Sequence, residues 1–196
     1  MGRRVQHSLM QETTEILESL DFLKGRILDI GCGHGMLADY LKDAGFDGLY
    51  YGLDVRAGII MNNIEEWKDD DRFSFMHLDV YNPVYSKSGV QAEEMRLPFL
   101  DDSFDSVICH SLFTHIETKF SAQRYMDEIT RVLATNGNLW TTWFRSPPNN
   151  INVSAYRSVL KESDIMNLLI PYRTVFSCGG LTLGYHDQWQ IGSVKR

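Results

Sequence analysis

The sequence is poor in cysteine and proline and contains no long apolar run. Its three cysteines, Cys32, Cys109 and Cys178, stand far apart without a C-x-x-C pair, which disfavours a disulfide framework and predicts reduced, buried thiols. No stretch approaches the ~18 apolar residues that cross a membrane, and the N-terminus has no signal-peptide pattern. We therefore predict a cytoplasmic protein that does not contact membranes.

Basic residues are also in the minority. The 196 residues contain 19 Lys and Arg against 26 Asp and Glu, a net charge of −7. This balance disfavours a nucleic acid as the main partner, because the phosphate backbone attracts basic surfaces. The chain length suits one compact domain with a sizeable core.

Helical and strand patterns alternate along the chain. This alternation predicts an α/β fold with a doubly wound, seven-stranded and mostly parallel sheet that has helices on both faces. The last two strands have no helix between them, so we expect an antiparallel hairpin at one edge of the sheet. The pattern predicts strands at 26–30, 49–54, 73–80, 106–109, 138–144, 173–178 and 187–194, helices at 8–23, 36–44, 57–67, 121–133 and 154–170, and a long loop at 81–96.

A glycine-rich loop follows the first predicted strand. Residues 29–35 read Asp-Ile-Gly-Cys-Gly-His-Gly, and a helical pattern begins at Met36. Glycine permits a tight turn and a close approach of a ligand to the backbone, and a helix start directs unpaired N–H groups toward the same space. A dinucleotide loop would have a third glycine where Met36 stands, and a P-loop would continue with Gly-Lys-Ser/Thr. The loop therefore predicts a nucleotide-type site of another kind.

Five motifs in order resemble the class I S-adenosylmethionine-dependent methyltransferases. The loop at 29–35 is similar to the signature loop of that family, and the other matches are Asp54 at the end of the second strand, Leu-Pro-Phe through Phe-Asp-Ser-Val at 97–107, Phe-Thr-His-Ile at 113–116 and Arg-Val-Leu-Ala-Thr-Asn-Gly-Asn-Leu at 131–139. The resemblance implies the Rossmann-like fold of these methyltransferases, S-adenosylmethionine as cofactor and methyl transfer as the reaction. It also implies one domain over 1–196, with an N-terminal helix at 1–25, a cofactor-binding core at 26–144 and a substrate-side helix and hairpin at 145–196.

The resemblance also implies which residues hold the cofactor. Asp54 stands where the family binds the two ribose hydroxyls, and a single carboxylate on a rigid strand end is chemically suited to a vicinal diol. The alternative for Asp54 is a turn or cap residue before the next helix. The remaining candidates are Asp29, Gly31 and Gly33 in the loop, Val55 after Asp54, and His110, whose backbone would line the site.

Two positions are candidates for the acid that accepts a hydrogen bond from the adenine amino group. The resemblance implies an acid four residues before the Leu-Pro-Phe block, which is Glu93 with Glu94 beside it, whereas the family's usual place for that acid, the end of the third strand, is Asp79. Residues 81–92 resemble an insertion between these two positions. We favour Glu93 or Glu94 over Asp79.

The methyl acceptor is expected to be a hydroxyl of a small molecule or glycan. The Asn-Pro-Pro-aromatic signature of many amino-group methyltransferases is missing after the fourth strand, and no Pro-Cys pair suggests transfer to a base carbon. A hydroxyl acceptor benefits from a nearby base, and His115 is the candidate, with a structural helix-capping role as the alternative. No metal ligands are predicted.

The segment after the fifth strand is short for a substrate lid. Only residues 145–153 are available there, so the acceptor site is either open to a large or carrier-borne substrate or completed by residues 81–92, the N-terminal helix or a second subunit of a homodimer. Two further readings follow from this sequence. One is a non-catalytic S-adenosylmethionine-binding partner subunit, and the other, which Met36 disfavours, is an NAD-dependent oxidoreductase.

Overall fold

The computed structural model describes residues 2–144, 160–179 and 188–196, without the side chains of 2–10, 178–179 and 188. Five helices and seven strands alternate in these segments, with short 3-10 turns at Ala92–Glu94 and Phe113–His115. The helices are α1 Gly2–Ser19, α2 Met36–Asp43, α3 Ala57–Trp67, α4 Lys119–Val132 and α5 Glu162–Leu168, and the strands are β1 Arg26–Ile30, β2 Leu49–Asp54, β3 Phe73–His77, β4 Phe104–Cys109, β5 Leu133–Phe144, β6 Tyr172–Gly179 and β7 Gln188–Lys195.

The seven strands form one sheet in the order β3-β2-β1-β4-β5-β7-β6. Strands β1 to β5 are parallel, whereas β7 runs antiparallel to both β5 and β6. The predicted fold class is confirmed, including the hairpin made by the last two strands. Because β1, β2 and β4 are adjacent and parallel, their carboxyl ends meet at one edge, where doubly wound sheets bind ligands.

Apolar side chains cover both faces of the sheet. One cluster packs α1, α2 and α3 against one face, and the other packs α4 and α5 against the opposite face. Successive residues of β1 alternate between the clusters, since Ile27 belongs to the first and Leu28 to the second, as the two-residue period of a strand requires. Cys32 and Cys109 are buried free thiols, whereas the side chain of Cys178 lies outside the described residues.

Nine of the twelve predicted elements differ from the observed bounds, and the largest differences fall in four of them. The N-terminal helix ends at Ser19 because Asp21 adopts a positive φ of 58° and the Phe22 N–H donates to the Leu17 carbonyl at 2.9 Å, a left-handed C-terminal cap. Strand β3 ends three residues early, and β5 begins five residues early through a turn at Asn136, which has a φ of 62°. Helix α5 covers only part of 154–170, and residues 154–159 of that prediction lie outside the described residues.

Candidate active site

A cavity of about 770 Å³ opens at the carboxyl ends of β1, β2 and β4. Seven of the nine candidate site residues line it, and they come from four separate segments of the chain. These residues are Asp29, Gly31, Gly33, Asp54, Val55, His110 and His115. The described part of the cavity wall does not include Glu93, Glu94 or Asp79.

The glycine loop is held against the end of β2. The N–H groups of Gly31 and Cys32 both donate to the Leu53 carbonyl, at 2.7 and 2.9 Å. Gly31 and Gly33 have φ values of 85° and 56°, in the left-handed region that a side chain disfavours. From α3, the Asn63 amide donates to the Gly33 carbonyl at 2.8 Å. The loop therefore has a fixed conformation before any ligand arrives.

Asp54 is buried and accepts four hydrogen bonds. The Gly33 N–H donates to Oδ2 at 2.9 Å and the Arg56 N–H to Oδ1 at 2.9 Å, while the Arg56 guanidinium donates to both oxygens, at 3.0 and 3.1 Å. Burial alone would raise the pKa of Asp54, but the guanidinium and the two N–H groups outweigh it, and the pKa lies below its ordinary value. Asp54 is therefore an anion at neutral pH.

Asp29 is also buried but has one neutral partner. The Tyr50 hydroxyl donates to its Oδ2 at 2.7 Å. Burial raises the pKa of Asp29 from 3.8 to about 7; the Tyr50 hydrogen bond lowers it, and the nearby Asp54 charge raises it. Two of the carboxyl groups in the cavity wall thus differ in protonation: Asp54 is firmly ionised, whereas Asp29 exchanges its proton near neutral pH.

His110 follows β4 at a strained point of the backbone. Burial lowers its pKa to about 4, so the imidazole is neutral at pH 7, and its buried Nδ1 has no hydrogen-bond partner among the described residues. The next residue, Ser111, has a φ of 59° and is held by its N–H donating to the Thr142 hydroxyl at 2.6 Å. An unpaired buried nitrogen at a cavity wall is suited to receiving a ligand donor.

The inserted loop after β3 forms one side of the cavity at His115. The Asn82 amide donates to the His115 carbonyl at 3.1 Å, and the Asn82 Oδ1 accepts the Val84 and Tyr85 N–H groups at 3.0 and 3.1 Å. The Tyr85 ring meets the His115 ring edge-on, with centroids 5.1 Å apart. Asn82 and Tyr85 of this loop thus both contact His115 on one side of the cavity.

A family sequence model matches the segments that form this cavity. The sequence profile described as "Methyltransferase domain" aligns with residues 28–141, which is more than half of the chain. The chain belongs to this methyltransferase-domain family. The profile covers β1, the glycine loop, Asp54 and β4, so it includes every strand end that lines the cavity.

Two curated relatives of this chain are named as methyltransferases. Phthiotriol/phenolphthiotriol dimycocerosates methyltransferase 1 of Mycobacterium ulcerans is 35% identical over 64% of this chain and 40% of its own length. The fatty-acid O-methyltransferase of Mycolicibacterium smegmatis is 29% identical over 57% of this chain and 34% of its own length. The chain therefore spans about a third to two fifths of the length of these curated relatives.

The third comparison is structural. The 1,6-didemethyltoxoflavin-N1-methyltransferase of Burkholderia thailandensis, solved with 1,6-didemethyltoxoflavin and S-adenosylhomocysteine bound, superposes with a TM-score of 0.67 at 17% identity. The superposition covers 95% of this chain and 77% of that one. At this identity the likeness establishes the fold of the methyltransferase domain.

Glu93 and Glu94 lie away from the cavity of the methyltransferase domain. Glu93 Oε1 accepts hydrogen bonds from the Ser121 and Thr118 hydroxyls, at 2.7 and 3.2 Å, where Thr118 is the N-cap of α4. Both glutamates are exposed. Glu93 therefore braces the start of α4, and the structure does not bring it into contact with the glycine loop or Asp54.

Replacing Glu93 by alanine is expected to lower the free energy of unfolding by about 1 kcal/mol, because the substitution removes hydrogen bonds from a helix N-terminus. Affinity for S-adenosylhomocysteine should stay within about threefold of the wild type. Calorimetric titration and chemical unfolding measure the two quantities, with Glu94→Ala as the matched control. If Glu93→Ala lost affinity and Glu94→Ala did not, Glu93 would be the residue that recognises adenine.

Asn63 and Arg56 are two polar cavity residues that the sequence did not predict as site residues. Asn63 lies on the buried face of α3 with Ile60 and Trp67. The only feature of the sequence that could have identified it is a polar residue among the apolar residues of that face. Arg56 follows Asp54 by two residues and carried no signal beyond its charge. Their roles depend on the tertiary contacts described above.

In the described segments, no group of three or more His, Cys, Asp or Glu side chains is arranged to hold a metal ion. No helix in the same residues combines the length and apolar character needed to cross a bilayer.

Proposed function

We propose that this methyltransferase domain transfers a methyl group from S-adenosylmethionine to a hydroxyl oxygen of a small-molecule or glycan acceptor. One observation carries the proposal: the glycine loop, the Asp54 carboxylate and His115 line a single cavity of about 770 Å³. A cavity of this size suits a nucleoside cofactor together with part of an acceptor. The name of the fatty-acid O-methyltransferase relative supports oxygen as the receiving atom.

The cavity residues fit the groups of this cofactor. Asp54 presents two ionised oxygens to a pair of ribose hydroxyls, and the backbone at Gly31 and Gly33 allows close approach. Asp29 offers a carboxylate to a cationic amino group, and the buried Nδ1 of His110 offers an acceptor. When bound, S-adenosylmethionine supplies a methyl group on a positively charged sulfur.

His115 is proposed to take the acceptor proton. A hydroxyl is a weak nucleophile, and a positioned base that accepts its proton typically contributes about 10²-fold or more. The Tyr85 hydroxyl lies 3.4 Å from each ring nitrogen of His115, and the Tyr85 ring packs edge-on against the imidazole. The Asn82 amide holds the His115 backbone through its carbonyl.

Replacing His115 by glutamine is expected to lower kcat about 100-fold, because the side chain keeps its approximate size and loses its basicity. Affinity for S-adenosylhomocysteine should change by less than about threefold. Steady-state kinetics and calorimetric titration separate the two effects. Retention of wild-type kcat, with a lower unfolding temperature, would instead identify His115 as a structural residue.

The proposed activity is tested in two steps on the wild-type chain. Calorimetric titration with S-adenosylhomocysteine should give one site per chain, and NADH should not compete for it. Transfer of an isotopically labelled methyl group should then be screened over alcohols, sugars, carboxylates and amines. Transfer to alcohols or sugars is the expected result. Transfer only to amines would overturn the hydroxyl assignment, and binding without transfer to any acceptor would favour a non-catalytic partner subunit.

A further inference from the structure

The Asp54 carboxylate has no hydrogen-bonding capacity left for a diol in this structure. Each carboxylate oxygen accepts about two hydrogen bonds. Oδ1 accepts the N–H and the Nε–H of Arg56, and Oδ2 accepts the Gly33 N–H and the Arg56 Nη2. On each oxygen, one position is therefore taken by the backbone and the other by the guanidinium.

The guanidinium satisfies the carboxylate in the same pattern as two vicinal hydroxyls would. It places one N–H on each oxygen, at 3.0 and 3.1 Å, and a diol would place one O–H on each. The backbone donors belong to the fixed glycine loop and strand end, so the guanidinium is the group that can leave. Its side chain is 33% exposed, whereas that of Asp54 is 6% exposed.

The guanidinium also fills the space beside the glycine loop. A Cβ atom built on Gly33 would lie 3.4 Å from the Arg56 Nη2, so the cation lies directly against the backbone that a ligand would approach. On its other side, the Arg56 Cζ lies 5.3 Å from the centre of the Tyr85 ring, within the range of a cation–π contact. Arg56 thus lies between the glycine loop and the inserted loop that carries Tyr85.

We propose that Arg56 competes with the cofactor ribose for Asp54 and is displaced toward Tyr85 when the cofactor binds. Arg56 is then a positioning residue: it satisfies the buried carboxylate in the unliganded domain and moves to the acceptor side of the cavity in the liganded one. The proposal rests on the proposed function, since it assumes that Asp54 binds a ribose diol. Because Tyr85 packs on His115, this movement connects cofactor binding to the acceptor wall.

The chain contains a matched control for this pair. Arg72 follows Asp70 by two residues and donates to both of its carboxylate oxygens, at 2.8 and 2.6 Å, with the same backbone N–H contact at 3.3 Å. Neither residue lines the cavity in the described part of the chain. Removing Arg72 therefore breaks a similar bidentate ion pair, together with its bond to the Phe46 carbonyl, without touching the site.

The first experiment is calorimetric titration of S-adenosylhomocysteine into wild type, Arg56→Met and Arg72→Met. Methionine keeps the length of the side chain and removes the competing donors, so Arg56→Met should bind about tenfold more tightly than wild type. Arg72→Met should match the wild type. Weaker binding in Arg56→Met would show that Arg56 binds the cofactor, and unchanged binding would show that Arg56 does not affect it. Either result would overturn the proposal.

The second readout follows the guanidinium in the wild-type chain, so it does not depend on the stability of a variant. Arginine Nε–H resonances are recorded by ¹H–¹⁵N NMR with and without saturating S-adenosylhomocysteine and assigned with Arg56→Lys and Arg72→Lys. The Arg56 resonance should shift on saturation while that of Arg72 stays in place. A stationary Arg56 resonance in a saturated sample would overturn the displacement, whereas failure of the wild type to bind at all would overturn the proposed function.

Discussion

Replacing Asp54 by asparagine should weaken binding of S-adenosylhomocysteine by about 10³-fold. The carboxylate is proposed to accept two hydroxyl hydrogen bonds, and hydrogen bonds to a charged group contribute roughly 1.5–3 kcal/mol each. A loss of about 4 kcal/mol corresponds to about three powers of ten in the dissociation constant. Asparagine retains the shape of the side chain and loses both the charge and one acceptor oxygen.

The control for this substitution is Asp70→Asn. It neutralises the other Asp-x-Arg pair of the chain, which lies outside the cavity, and should leave affinity within about threefold of the wild type. Calorimetric titration measures affinity, and thermal unfolding shows whether each variant is folded. If Asp54→Asn bound the ligand as well as the wild type, Asp54 would be only a brace between Gly33 and the turn after β2.

Replacing Asp29 by asparagine should stabilise the unliganded domain most strongly in alkaline solution. Asp29 is buried, and its pKa rises from 3.8 to about 7, so folding favours the protonated form. Its contribution to stability is therefore complete below pH 3.8 and is lost as the pH rises to about 7. The difference between the two pKa values corresponds to roughly 4 kcal/mol once the group is fully ionised.

Chemical unfolding near pH 5.5 and near pH 8.5 tests this dependence. Between those two values the wild type should lose roughly 2 kcal/mol more stability than Asp29→Asn, since part of the loss has already occurred at the lower pH. Tyr50→Phe removes the hydrogen bond that lowers the Asp29 pKa and should move the transition to higher pH. Equal pH profiles for wild type and Asp29→Asn would show that Asp29 does not titrate in this range.

The elements around the glycine loop could be predicted because their signals are local. The bounds of β1, β2 and α3 agree with the structure to the residue, since each apolar run ends at a glycine, an acid or a charged segment. The end of α1 could not be predicted in this way. A left-handed cap is usually formed by glycine, but here it is formed by Asp21. The prediction therefore placed the helix end near Gly25, the first glycine after the helical pattern.

The parts of the site that required tertiary contacts were not predictable. The position of Asp54 followed from a strand end, but the guanidinium that occupies it depends on a side-chain conformation of Arg56. Glu93 was favoured by its distance in sequence from Leu97, and that distance carries no information about the Thr118 and Ser121 hydroxyls that it contacts. Sequence spacing within one strand transfers to space, whereas the spacing from Glu93, in a 3-10 turn, to Leu97, in irregular structure, does not.

The loop between β3 and the 3-10 turn at Ala92–Glu94 forms hydrogen bonds within itself. Bridges between Val80 and Val90 and between Asn82 and Ser86 close the loop on itself, so it meets the rest of the cavity chiefly through Tyr85 and the Asn82 amide. Because these bonds lie within the loop, its sequence can change without altering the sheet. Under the proposed function, replacing this loop would change the cavity wall beside His115 while the glycine loop and Asp54, held at the ends of β1 and β2, keep their form.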